Sequence, residues 1–167
     1  MEGLIMGNLC SLVAMVTDSI SSSRKTAKGV LFVQTISQLF YLIGSVMLKG
    51  YSAAVQNAVS VFRNIAAIKE SESKVLQWAL IVAGVVLGVL FNNRGAIGWL
   101  PIIGNLEYSV AVFRFKDNER ALKIAFLIVV AMYTVFNAVI LNFVGALSNI
   151  VVVISILIFL IKDSKKI

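Results

Sequence analysis

Residues 144–161 read Val-Gly-Ala-Leu-Ser-Asn-Ile-Val-Val-Val-Ile-Ser-Ile-Leu-Ile-Phe-Leu-Ile, without a charged side chain. A spanning α-helix needs roughly 20 predominantly apolar residues, so this stretch is a transmembrane candidate. Outward from it the pattern repeats. Apolar stretches run over 3–22, 30–48, 51–68, 75–92, 96–114, 121–142 and 144–161. The breaks are polar or glycine-bearing, such as Lys49-Gly50, Asn92-Asn93-Arg94 and Lys116 to Arg120. Seven spans use most of the 167 residues and leave no room for a soluble catalytic domain.

Composition agrees. Apolar residues make up 59% of the chain and charged residues 14%, with a mean hydropathy of +0.94. Soluble domains carry roughly 25% charged residues. A water-soluble fold of this size cannot hide so much apolar surface. The chain has no His and a single cysteine, Cys10, which excludes an internal disulfide and argues against a Cys/His metal site. Without His, and with few carboxylates near a plausible site, catalysis is not expected, and neither is a cofactor. The N-terminus lacks the basic stretch of a signal peptide, so the first apolar segment reads as a retained helix.

Cytoplasmic loops collect Lys and Arg. In a seven-span arrangement 13 of the 15 basic residues fall at one end; the other end holds only Lys49 and Arg94. That places the N-terminus outside and the C-terminus in the cytoplasm. The net charge of +7 then reads as a topology signal and a lipid-headgroup contact, not a nucleic-acid surface. Trp78 and Trp99 fall near opposite interfaces, as an aromatic belt requires.

An internal repeat is written into the chain. Gly7-Asn8-Leu9 recurs as Gly104-Asn105-Leu106, 97 positions on. Tyr41, Ala54, Asn57, Val59 and Val61 recur 92 positions on as Tyr133, Ala146, Asn149, Val151 and Val153, and Ser45 aligns with Asn137. Residues 3–68 and 96–161 thus form two triple-helix repeats with 75–92 as a linker helix. An odd linker gives both halves the same orientation, so the repeats are parallel. The expected fold is an all-α membrane protein on a three-plus-one-plus-three plan.

Polar groups in hydrocarbon cost free energy unless paired. Asn8, Asn57, Asn105 and Asn149 lie a few residues into their helices, and Ser45 and Asn137 a few residues before the ends of theirs. At about 1.5 Å per residue all six share one depth, with Tyr41 and Tyr133 a turn deeper. They are the expected solute-binding layer, against the alternative of interhelical packing bonds of about 1 kcal/mol each. Ionisable groups inside spans are functional candidates. Glu107 is a candidate for carrying a coupling proton, or for an ion pair with Arg63 or Arg114. Asp18 is expected at the inner interface beside Arg24 and Lys25. Pro101, the only proline, is expected to kink helix five, as a hinge or as a static bend. Gly84 and Gly88 read as a small-residue packing face on the linker helix.

The string Leu100-Pro101-Ile102-Ile103-Gly104, followed by Ala111-Val112-Phe113-Arg114, resembles the YgjV family of bacterial inner-membrane proteins, as does Leu42-Ile43-Gly44 through Tyr51, Ala53, Asn57 and Arg63. The resemblance implies the bacterial inner membrane and no assured activity. More distantly the plan resembles the SWEET and PQ-loop transporters, whose third and seventh helices carry a pocket Asn. That resemblance implies such a role for Asn57 and Asn149, with Ser45, Tyr41, Asn137 and Tyr133 as further pocket side chains. The Pro-Gln pair is absent, as is a Trp on helix two or six, which argues against sugar. The expected function is alternating-access transport of a small uncharged or zwitterionic solute. The other reading is a structural, regulatory or sensory membrane protein. Expected partners are the lipid bilayer and the solute; a homo-oligomer is left open.

Overall fold

Each apolar stretch of the sequence folds as one α-helix in the computed structural model. It describes residues 1–21, 27–69, 73–114 and 119–164. The helices are α1 (Glu2–Ser21), α2 (Ala27–Met47), α3 (Tyr51–Ile68), α4 (Lys74–Leu90), α5 (Trp99–Arg114), α6 (Glu119–Val139) and α7 (Phe143–Ser164), with a short 3₁₀ turn, Gly95–Gly98, ahead of α5. Boundaries fall within a few residues of those expected. Of the basic residues assigned to the inner end, Arg24, Lys25, Lys116, Lys165 and Lys166 lie outside the described residues.

Among the described residues no helix is long and apolar enough to cross a membrane. The seven expected spans therefore stand in the structure as seven α-helices. In α4 and α5 length is the limiting dimension. With 17 and 16 residues, they reach about 26 and 24 Å, against a hydrocarbon core about 30 Å thick.

The distribution of side chains is inverted relative to a water-soluble domain. Ser37, Ser52, Gln56, Asn64, Asn105 and Asn142 are buried, while Phe32, Phe62, Trp78 and Leu147 are each more than 60% exposed. Large apolar residues face outward from every one of the seven helices. A water-soluble monomer rarely exposes contiguous apolar patches beyond a few hundred Å².

The helices close into a ring. In the first half α2 lies between α1 and α3; in the second α6 lies between α5 and α7. The halves meet at two seams, α1 against α7 and α3 against α5, and α4 packs on α3 and α5. A small apolar core of Leu48, Ala53, Phe136 and Ile140 joins the α2–α3 turn to α6, with Tyr133 packed against it.

The α2–α3 and α6–α7 turns match bond for bond at a spacing of 92 positions. The Gly50 amide donates to the Ser45 carbonyl at 2.8 Å, as Asn142 does to Asn137 at 2.8 Å. Lys49 donates to Val46 at 3.0 Å, as Leu141 does to Ala138 at 3.2 Å. Paired i−5 and i−3 bonds of this kind form a Schellman cap, with the residue between them in the left-handed region. Here those residues are Lys49 and Leu141. The cap also ends α6 at Val139, three residues short of the expected 142.

Candidate functional site

One face of α3 is polar along most of its length. Ser52, Gln56, Ser60 and Asn64 recur every four residues, which places them on one side of a helix, and all four are buried. The facing helix, α5, carries Pro101, Asn105 and Ser109 at the same spacing, also buried. The two stripes meet at the α3–α5 seam.

A chain of hydrogen bonds crosses that seam. Arg63 donates through Nη1 to Asn105 Oδ1 at 3.4 Å and to Ser109 Oγ at 3.2 Å. Asn105 Nδ2 donates to Gln56 Oε1 at 2.7 Å, and Gln56 Nε2 donates to the Gly84 carbonyl on α4 at 2.8 Å. The Arg63 guanidinium lies over the Tyr108 ring, 5.7 Å from its centroid. Tyr108 in turn contacts Phe126 on α6, with ring centroids 5.3 Å apart. α4 comes close enough for this because of its small residues. A Cβ at Gly88 would stand 2.5 Å from Gln56 Nε2 and 2.9 Å from Ile102.

The expected polar layer does not form one continuous lining; it divides among four local networks. The first is the α3–α5 chain, which takes Asn105. In the second, Asn57 Nδ2 donates to Ser45 Oγ at 3.3 Å, between α3 and α2. In the third, Asn142 Nδ2 donates to Asn137 Oδ1 at 3.3 Å, and the Gly145 amide donates to Asn142 Oδ1 at 3.0 Å. The fourth belongs to Asn8, whose Nδ2 donates to the carbonyls of Leu4 and Leu141 and whose Oδ1 accepts from the Val144 amide. Asn149 is half-buried and makes no described hydrogen bond. Tyr41 bonds to Asp18, which also accepts from Ser37 Oγ, so Tyr41 belongs to the α1–α2 interface.

The ionisable candidates separate as well. The described partners of Arg63 are Asn105, Ser109 and Tyr108, not Glu107. Among the described residues the buried Oε2 of Glu107 has no hydrogen-bond partner, and Arg114 is exposed at the end of α5. Pro101 lies in the first turn of α5, not in the helix interior. The first four amides of a helix have no intrahelical acceptor, so a proline there breaks no bond and forces no kink.

Gln56 is the site residue that the repeat comparison misses, because its partner at the 92 spacing is Ser148. The four-residue polar spacing on α3 is the signal that identifies it. The two basic residues at the outer end also find their reason. Arg94 donates to the carbonyls of Leu48 and Lys49, and Asn93 donates to Lys49, so this loop caps the C-terminus of α2.

A cavity of about 300 Å³ lies on the outside of the other seam, lined by Leu4, Ile5, Leu9, Leu12, Val144 and Asn8. It is an apolar crevice between α1 and α7, suited to an acyl chain more than to a polar solute.

The family model Imp-YgjV, described as a bacterial inner membrane protein, matches residues 5–167. No curated protein and no solved structure matches the chain.

Proposed function

The chain belongs to the YgjV family of bacterial inner membrane proteins, and from that premise we propose that its helices cross the inner membrane as two parallel triple-helix repeats joined by α4 and carry a small polar solute by alternating access. The crossing is read from the whole of each helix. α1, α2, α6 and α7 have 20, 21, 21 and 22 residues, about 30–33 Å, which matches the hydrocarbon core. The 3₁₀ turn of four residues before α5 adds about 8 Å to that helix at roughly 2 Å per residue. The outward-facing apolar side chains supply the lipid surface. The basic residues orient the bundle with the N-terminus outside.

The two matched Schellman turns and the two seams support the repeat. Exchanging the halves turns the α3–α5 seam into the α7–α1 seam. Alternating access in parallel-repeat carriers works by rocking one bundle against the other, with the site between them. The observation that carries the reading is the chain from Arg63 through Asn105 and Gln56 to Gly84, which places buried donors and acceptors on that boundary.

The test is solute flux into liposomes holding the purified protein. Asn105→Ala and Gln56→Ala, chosen among variants that still reconstitute, are expected to lose flux. A broad panel of solutes without flux in the wild-type protein overturns the reading. The structural or regulatory alternative has its own observation: Asn8, Asn93 and Arg94 hold turns together and offer nothing to a solute. On that reading every polar substitution changes stability alone.

A further inference from the structure

We propose that Arg63 is the receptor for a carboxylate group, so that the solute is a small carboxylic acid or zwitterion. This rests on the carrier reading above and names its substrate class.

An arginine has five N–H donors. Nη1 has two, and they are aimed at Asn105 Oδ1 and Ser109 Oγ. Among the described residues, Nε and both N–H groups of Nη2 have no protein acceptor, and no carboxylate stands within ion-pair distance. The Nε–Nη2 edge is the edge that takes a carboxylate through two parallel bonds. The side chain is largely buried, but Nε and Nη2 are not closed off: the fully buried unpartnered polar atoms among the described residues are Ser52 Oγ and Glu107 Oε2. The rest of the guanidinium is held in place: two acceptors fix Nη1, and the Tyr108 ring supports its face. An arginine needed only for packing would be neutralised by an acidic partner, because a charge removed from water without one is costly. The nearest acidic neighbour along α5, Glu107, does not bond to it. Asn105, Gln56 and Ser109 are uncharged, so in the hydrogen-bonded chain across the seam Arg63 is the charged member among the described residues. Both Asn105 amide atoms are engaged inside the chain, which leaves the guanidinium edge as the free recognition group.

The test is thermal unfolding of the full chain in a neutral detergent. The probes are acetate, succinate and glycine, each against its amide, with inorganic phosphate and phosphatidylglycerol as separate arms. Near ten times the dissociation constant a bound carboxylate raises the melting temperature by about 3–5 °C, and the matching amide does not. Arg63→Lys keeps the charge and loses the two-bond edge, and is expected to weaken the response about tenfold or more. Asn93→Ala, in the loop at the far end of α4 and without a contact to Arg63, keeps it. The wild-type comparison of acid with amide stands even where Arg63→Lys does not fold. Equal response to acid and amide overturns the carboxylate assignment and leaves the carrier reading intact. A response to phosphate or phosphatidylglycerol alone overturns it in favour of a lipid-headgroup site. No response to any carboxylate overturns it outright, while flux of a neutral solute still tests the carrier separately.

Discussion

Lys49 and Leu141 hold the same left-handed backbone conformation, with φ of 56° and 62°, at positions 92 apart in the chain. Each is the residue of a Schellman cap where glycine is the usual choice. The left-handed region costs an L-residue about 1–2 kcal/mol. Two such residues at matched places persist because both turns are tied from outside. Asn93 and Arg94 bind the carbonyls of the first turn, and Asn8 binds the carbonyl of the second. The same turn is thus held twice, by side chains from different parts of the chain.

Glycine at either position removes the strain. Lys49→Gly and Leu141→Gly are each expected to stabilise the protein by about 0.5–1 kcal/mol, since both side chains are exposed. The turns share no partner, so the double variant should show the sum. Denaturant or thermal unfolding in detergent measures it. A loss of stability in either variant means that the lysine or leucine side chain holds the turn by contacts outside the described ones.

Removing the outside ties should do the reverse. Asn8→Ala leaves the Leu141 carbonyl and the Val144 amide without their partner and is expected to cost about 1–2 kcal/mol. Asn93→Ala frees the Tyr51 amide but leaves the Lys49 carbonyl its bond from Arg94, so it is expected to cost less, about 0.5–1 kcal/mol. Both should leave ligand response unchanged at a temperature where the protein is folded. If Asn8→Ala abolishes ligand response with stability intact, Asn8 returns to the binding layer in which its depth first placed it.

The helices were legible because each is a nearly continuous apolar run between polar or glycine-bearing breaks, and seven such runs fill most of the chain. The 92-residue spacing that pairs Asn57 with Asn149 was legible as well, and the α2–α3 and α6–α7 turns share it. Depth along each helix was legible too: Ser45 and Asn57, expected at one level, share a hydrogen bond. Direction around each helix was not, since that depends on which neighbour each face meets. Asn8 and Asn105 align in the repeat, yet one caps a turn and the other joins a side-chain chain. Their partners differ: Asn105 meets Gln56 and Arg63 across the α3–α5 seam, whereas 92 positions on from Gln56 and Arg63 stand Ser148 and Ser155, which carry no amide or guanidinium and bond their own helix. Pro101 misled for a local reason, because the 3₁₀ turn delays the start of α5 until Trp99.

The contact of α4 with the site gives a third prediction. Gly88→Ala sets a Cβ 2.5 Å from Gln56 Nε2 and 2.9 Å from Ile102 Cγ1, so the helices must part or the Gln56 side chain must move. Overpacking of this kind costs about 1–3 kcal/mol. Gly84→Ala meets Gln56 Oε1 at 3.3 Å and is expected to cost less. Shortening the neighbour in the double variant Gly88→Ala, Gln56→Ala should recover part of the loss. Additive losses in the double variant place the strain on Ile102 instead.

Orientation is tested with single cysteines at the two ends of α4. Ala96, just past that helix, and Lys74, at its start, are both exposed. Cys10 is the only native thiol and is replaced by Ser in the background. Under the charge asymmetry Ala96→Cys faces the periplasm and Lys74→Cys the cytoplasm. A membrane-impermeant maleimide on intact spheroplasts should then label Ala96→Cys and reach Lys74→Cys only after permeabilisation. The reverse pattern inverts the bundle, and with it the side from which Arg63, in the half of α3 toward Lys74, is approached. Labelling of both from one side denies that α4 crosses the membrane. In that case the two halves lose their parallel relation, because an odd linker between them is what gives them the same direction.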